Sequence, residues 1–248
     1  MDEDNKFAKT LISDINGLLS LYEASLIRWW KESNIMSKLP YMRDRVMEFY
    51  FWTVGIQFEP EYSFSRIACA KALVMIVVLN DTYGNYATLD ELEISRRLCK
   101  GMHTAFWWDI KEIDQLPDYM KAAYQFIFGV REEYYREVPK HETSYGVSCV
   151  IETLEQLATS YYKKAKWYMG QKTPTFQDHI SDGPIGSAAV VVLMAFFVDM
   201  ESASKEAFDW VTSVPKIVEA AGLLTRRRND TSTYEVCSSQ PNEIFFAS

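Results

Sequence analysis

The stretch of sequence that decides the fold runs from Phe64 to Asp81 and reads FSRIACAKALVMIVVLND. Its apolar residues recur at helical spacing, and after Lys71 the stretch becomes almost wholly apolar. A helix that is apolar on every side is buried on every side. We therefore predict that the end of this helix lies inside a bundle of other helices.

Helical spacing of apolar residues continues over almost all of the remaining chain, and no convincing run of strands is found. The fold class is therefore predicted to be all-α. The further predicted helices lie at about 11–22, 46–54, 86–107, 118–137, 144–170, 184–200, 204–212 and 214–237. Prolines are expected at helix boundaries or in first turns, and this places Pro117, Pro139, Pro174, Pro184 and Pro215 at such positions.

The composition limits the class of protein. A chain of 248 residues fits one large domain with a substantial core. Its formal net charge of -8 argues against a nucleic-acid or anionic-membrane partner, because such partners attract basic surfaces. The four cysteines are widely spaced, which favours a reducing compartment over a disulfide framework. The longest apolar runs are shorter than the ~20 residues that span a bilayer. We expect a cytoplasmic protein with no membrane span.

Several motifs follow one another along the chain. A basic pair and an aromatic block, RDRVMEFYFW, occupy 43–52, and NDTYGNYATLDELE occupies 80–93. A second polar motif, RRRNDTSTYEVC, occupies 226–237. Shorter segments between them are Trp108-Asp109, LPDYMK at 116–121, AKW at 165–167 and Pro174-Thr175. In content, order and spacing these segments resemble the plant class I terpene synthases, or terpene cyclases, over about residues 26–237.

The resemblance implies a helical bundle of the isoprenoid synthase type and the family's C-terminal metal-binding catalytic domain. Residues 12–25 resemble the end of the family's N-terminal helical domain, but they run directly into RWWK at 28–31, which comes much later in the family. The predicted organisation is a remnant of that helical domain at 1–25, a truncated metal-binding domain at 26–237 and an unstructured tail at 238–248.

The resemblance also implies a reaction. The family ionises a prenyl diphosphate with Mg²⁺, or alternatively Mn²⁺, and the resulting allyl cation cyclises or is quenched. Metal ions and arginines supply the positive charge that the departing diphosphate needs. By resemblance Arg43, Arg45 and Arg226 bind the diphosphate, since guanidinium groups match phosphate oxygens. Trp52 matches an aromatic residue of the pocket floor, where its face stabilises a carbocation.

The first metal motif departs from the family pattern. Positions i and i+4 share a helix face, and the family places carboxylates there. Here Asn80 offers a neutral carbonyl and Gly84 offers no side chain, although Mg²⁺ prefers anionic oxygen ligands. Asp81 is retained, but in the family this middle aspartate is less directly a ligand.

The second metal motif departs at one position of three. Asn229 and Thr233 keep the family's ligand types, whereas Cys237 stands where the family has Glu, and a thiol is a poor ligand for Mg²⁺. Glu235 lies on roughly the opposite side of the helix. The predicted metal residues are thus Asn80, Asp81, Asn229 and Thr233. Loss of an outer partner alone lowers metal affinity by about 10–100-fold, so three altered ligand positions predict weakened Mg²⁺ binding.

Three hypotheses about function follow. The chain is an impaired terpene synthase that acts on farnesyl or geranylgeranyl diphosphate, or a non-catalytic remnant that binds a prenyl diphosphate or an intact paralogue, or a mis-spliced product that does not fold stably. The sequence leaves both the enzymatic activity and the oligomeric state open.

The motif residues also have plainer interpretations. Asn80 and Asp81, at the end of an apolar helix, are typical of a helix stop. Arg43 and Arg45 are compatible with a solvated helix start that carries local ion pairs. Trp52 is compatible with a core residue.

Overall fold

The computed structural model describes residues 25–99, 113–137, 143–170, 174–198, 200 and 203–239. In these ranges the chain is helical and contains no strand, which confirms the all-α prediction. The predicted helix at 11–22, the predicted remnant at 1–25 except its last residue, and residues 240–248 of the predicted tail lie outside the described residues.

The helices are numbered here in chain order, and a short 3₁₀ helix at Pro60–Tyr62 precedes α4. They are α1 (25–33), α2 (Ile35–Lys38), α3 (Val46–Ile56), α4 (Ser63–Asn85), α5 (Leu89–Cys99), α6 (Asp118–Glu137), α7 (Thr143–Met169), α8 (Phe176–Gly186), α9 (Ala189–Phe197), α10 (Lys205–Thr212) and α11 (Lys216–Ser239).

Helix α4 is the centre of the bundle. It packs against α3, α6, α7 and α9. Val74, Met75 and Val78 in its apolar half are fully buried. The prediction from the apolar run is therefore confirmed, and the helix extends four residues beyond Asp81.

The predicted single helix at 184–200 is wrong. The chain forms two helices there, α8 and α9, and Ala188 between them takes a left-handed conformation with φ of 63°. Pro184 lies inside α8 and not at a helix start. The true start is Thr175, whose hydroxyl accepts a hydrogen bond from the Asp178 backbone N–H at 3.1 Å. Because Asp178 also bonds back to the Thr175 N–H, this capping box satisfies N–H groups that the first turn leaves open.

Two stretches are long and apolar enough to cross a membrane, judged by length and composition. They are Ser63–Gly84 and Phe176–Phe197. In the first, 78% of the apolar window is buried inside the bundle, as in the core helix of a soluble protein. The second is divided between α8 and α9. The absence of a membrane span stays a prediction.

Candidate functional site

The two polar motifs meet at one cleft. This cleft lies between α4, α7 and α11, and its cavity volume is small, about 20 Å³. The described residues that line it are Asn80, Tyr83 and Gly84 from α4, Tyr161 and Lys164 from α7, and Arg226 and Asn229 from α11. The fold therefore brings together both altered positions of the first motif and the start of the second.

Helix α4 continues through the first motif and ends at Asn85. Asn80 and Gly84 therefore lie one turn apart on one face, as the spacing predicts. The plainer interpretation of Asn80 and Asp81 as a helix stop is wrong.

Asp81 is buried and is not among the described residues that line the cleft. Its side chain is 1% exposed, and its Oδ1 accepts a hydrogen bond from Arg43 Nη2 at 3.1 Å. The Asn80 amide donates to the same oxygen at 3.4 Å, while Oδ2 is buried without a hydrogen-bond partner. The carboxylate that the sequence retains is thus engaged in an ion pair beside the cleft.

Arg45 and Trp52 are likewise not among the described lining residues. Arg45 Nε lies 3.7 Å from a carboxylate oxygen of Glu48, one turn along the chain. The Trp52 ring lies 5.6 Å from the Phe49 ring, centroid to centroid, and the residue is 46% exposed. Trp52 is therefore not a fully buried core residue, and the pocket-floor and diphosphate roles of these two residues stay predictions.

Lys164 is the basic cleft residue that the sequence analysis missed, as it also missed Tyr83 and Tyr161. It is only 5% exposed, and its Nζ donates a hydrogen bond to the Gly186 carbonyl at 3.0 Å. The same nitrogen lies 5.2 Å from the centre of the Tyr161 ring. Burial, followed by repulsion from Arg226, lowers the pKa of Lys164 to about 7. The burial of Lys164 could have been predicted from helical spacing, because Leu157, Tyr161 and Lys164 lie on one buried stripe of α7.

Arg226 pairs within its own helix. Its Nη2 forms an ion pair with Asp230, while its Nε is buried without a hydrogen-bond partner. The other oxygen of Asp230 lies 2.8 Å from His179 Nε2 on α8. The Asp230 carboxylate, next to Asn229 in sequence, is thus already paired with Arg226 and His179.

Thr233 and Cys237 follow Asn229 on α11. The helix runs through Ser239, so these three positions keep the spacing of one face. The conformations of the Thr233 and Cys237 side chains lie outside what the structure describes.

The described side chains do not fit a Mg²⁺ site. The described lining of the cleft contains two basic side chains and no carboxylate. Among all described residues, no group of three or more His, Cys, Asp or Glu side chains is placed to hold a metal ion. Mg²⁺ prefers anionic oxygen ligands, whereas this cleft presents amides, phenols and cations.

A helical bundle with two polar motifs at one central cleft defines the isoprenoid synthase class of fold. The chain belongs to the terpene synthase family, because residues 31–244 match the family described as "Terpene synthase family, metal binding domain". This confirms the resemblance drawn from the motifs. The domain implies a divalent metal cofactor, typically Mg²⁺, for the family.

Plant enzymes are among the similar proteins. A germacrene A synthase of Pogostemon cablin is 38% identical over 234 residues, which are 93% of this chain and 41% of that enzyme. A (-)-5-epieremophilene synthase of Salvia miltiorrhiza is 36% identical, with the same shares covered. This chain therefore spans about two fifths of the length of these relatives.

A solved structure shares the fold. The isoprene synthase of grey poplar, in complex with three Mg²⁺ ions and dimethylallyl-S-thiolodiphosphate, superposes with a TM-score of 0.77 at 27% identity. The match covers 93% of this chain and 44% of the poplar chain.

Proposed function

We propose that this chain binds a prenyl diphosphate, farnesyl or geranylgeranyl diphosphate, in the cleft between α4, α7 and α11, and that Mg²⁺-dependent turnover is impaired. The observation that carries the proposal is the composition of the cleft. It combines the altered metal positions Asn80 and Gly84 with the basic residues Lys164 and Arg226.

Binding is supported by the chemistry of the lining. Two basic side chains, Lys164 and Arg226, attract an anion, and the buried Arg226 Nε, which has no hydrogen-bond partner among the described residues, can donate to its oxygens. Further support comes from the grey poplar isoprene synthase, which was solved with a diphosphate analogue.

Impairment is supported by a comparison of charge. Breaking the carbon–oxygen bond leaves negative charge on the diphosphate, and fixed positive charge at its oxygens lowers the barrier. The poplar enzyme holds three divalent ions with its ligand. In this cleft the described side chains offer at most two single charges, on Lys164 and Arg226. Arg43 and Arg226 are each already paired with a carboxylate, Asp81 and Asp230 respectively, which reduces the positive charge that either adds.

The test measures binding and turnover separately. The purified chain is incubated with each prenyl diphosphate and Mg²⁺ or Mn²⁺, and products are analysed by gas chromatography–mass spectrometry. The germacrene A synthase of Pogostemon cablin serves as the positive control. We expect binding by calorimetry with little or no product. Robust turnover would contradict impairment, and absence of binding to both prenyl diphosphates would refute the proposal.

Two sets of variants sharpen this test. Arg226→Met is expected to weaken prenyl diphosphate binding, whereas Arg227→Met, at the exposed neighbouring residue, is expected to leave it unchanged. Restoring the family ligands with Asn80→Asp, Gly84→Asp and Cys237→Glu is expected to raise turnover if the ligand losses limit the reaction. A restored chain that binds the substrate but stays inactive would show that another part of the pocket is limiting.

A further inference from the structure

The cleft between the motifs has the wrong sign of charge for a cation. Its described lining contains the basic side chains of Lys164 and Arg226, of which Arg226 is paired with Asp230, and its other side chains are neutral amides and phenols. Burial raises the pKa of Tyr161 far above its ordinary value, so this phenol stays neutral. Like charges repel strongly where water is excluded, so a divalent ion is disfavoured and an anion is favoured.

The Lys164 ammonium has donors to spare. When protonated it carries three N–H groups, and among the described residues its hydrogen-bond acceptor is the Gly186 carbonyl, with no carboxylate within 4 Å. The two nearby carboxylates are engaged elsewhere. Asp182 accepts a hydrogen bond from Ser160 at 2.7 Å, and Asp230 is held by Arg226 and His179.

Arg226 repeats this pattern on the facing helix. Its Nε is buried without a hydrogen-bond partner although the side chain lines the same cleft. Burying a cation costs free energy unless a counter-charge pairs with it, and burying an N–H group costs free energy unless an acceptor bonds to it. One anion with several oxygens can satisfy both groups at once.

We infer that this cleft takes a diphosphate group directly, with Lys164 and Arg226 contacting its oxygens and with no divalent cation between them. The inference rests on the proposed function for the identity of the ligand. It adds that Lys164 on α7 contacts the diphosphate directly, whereas the poplar enzyme was solved with three Mg²⁺ ions beside its ligand. Recognition of the anion is therefore independent of metal in this chain.

The experiment titrates inorganic diphosphate into the full chain by calorimetry, once in EDTA and once in Mg²⁺. We expect wild-type binding to persist in EDTA. Lys164→Met keeps an unbranched side chain, one atom shorter, and removes its charge; we expect it to weaken binding roughly 10–100-fold, the range for losing a charged hydrogen bond. Lys166→Met, two residues along at an exposed position, is the matched control and is expected to leave binding unchanged.

Two results would overturn the inference. One is a requirement for Mg²⁺ in diphosphate binding by the wild-type chain. This result does not depend on whether any variant folds. The other is equal affinity of Lys164→Met and wild type in EDTA, with circular dichroism showing that both are helical.

Farnesyl diphosphate separates this inference from the proposed function. If farnesyl diphosphate binds only with Mg²⁺, the direct-contact inference fails while the proposed function stands. If inorganic diphosphate binds in EDTA through Lys164 but no prenyl diphosphate binds, the inference stands and the proposed function fails. If neither ligand binds with or without Mg²⁺, both fail.

Discussion

Replacing Lys164 with methionine is expected to stabilise the ligand-free protein near neutral pH. The fall in the lysine pKa from 10.5 to about 7 corresponds to roughly 5 kcal/mol of free energy. The variant loses the hydrogen bond to Gly186 and the contact with the Tyr161 ring, which together offset about 2 kcal/mol. A net gain of about 3 kcal/mol remains, equivalent to a rise in Tm of roughly 6–12 °C.

The gain should depend on pH in a defined direction. Because the pKa of Lys164 is lowered in the folded state, the unfolded chain binds one more proton than the folded chain between pH 7 and 10.5. Wild-type stability therefore rises with pH through this window, and the methionine variant lacks this contribution. The advantage of the variant should shrink by about 2 kcal/mol between pH 7 and pH 9.

Urea denaturation of both proteins at several pH values measures this difference directly. Comparing the two chains cancels the titration of all other groups. Lys166→Met, at an exposed position, should show neither the gain nor its pH dependence. A Lys164→Met chain that is less stable than wild type at pH 7, or an advantage that stays constant up to pH 9, would refute the reasoning.

Two further predictions concern the elements around the cleft. Arg43→Ala leaves the Asp81 carboxylate, which is 1% exposed, without its ion pair and should lower the free energy of unfolding by roughly 2–4 kcal/mol in urea denaturation. The control Arg45→Ala removes a partly exposed ion pair and should lower it by less than about 1 kcal/mol. Equal losses of stability in the two variants would contradict the burial argument. Gly222→Ala places a methyl group 2.8 Å from the Pro184 backbone, where α11 meets α8, and should lower stability by about 1–3 kcal/mol. Gly129→Ala meets nothing within 4 Å and should instead raise stability by about 0.5–1 kcal/mol through helix propensity, so a thermal melt that ranks these variants the other way would count against the packing described.

Properties that depend on helix geometry alone could be read from the sequence. The apolar run from Phe64 to Asp81 predicted the central helix, because a segment without a polar side must be enclosed. The spacing of Asn80 and Gly84 predicted a shared face, since one turn of helix relates them. The change of ligand chemistry at these positions follows from residue identity and needs no coordinates.

The sequence predicted a wrong helix start where two local signals for a helix boundary, a proline and a capping box, lie close together. Pro184 predicts a helix start, but the capping box of Thr175 and Asp178 begins the helix nine residues earlier. A proline in the last turns of a short helix disrupts few hydrogen bonds, so its presence alone does not locate the boundary.

The tertiary structure alone decided which charged groups are available. Asp81 is paired with Arg43, 38 residues away in sequence, and Asp230 is paired with His179, 51 residues away. Lys164 enters the cleft because the fold places α7 beside residues of both motifs, and no local pattern specifies that placement. Charge complementarity depends on distance in space and on the exclusion of water, both of which are set by packing between remote segments. The sequence by itself therefore determined the residue types of the two motifs. The sign of the charge in the cleft that they share was decided only by the tertiary structure.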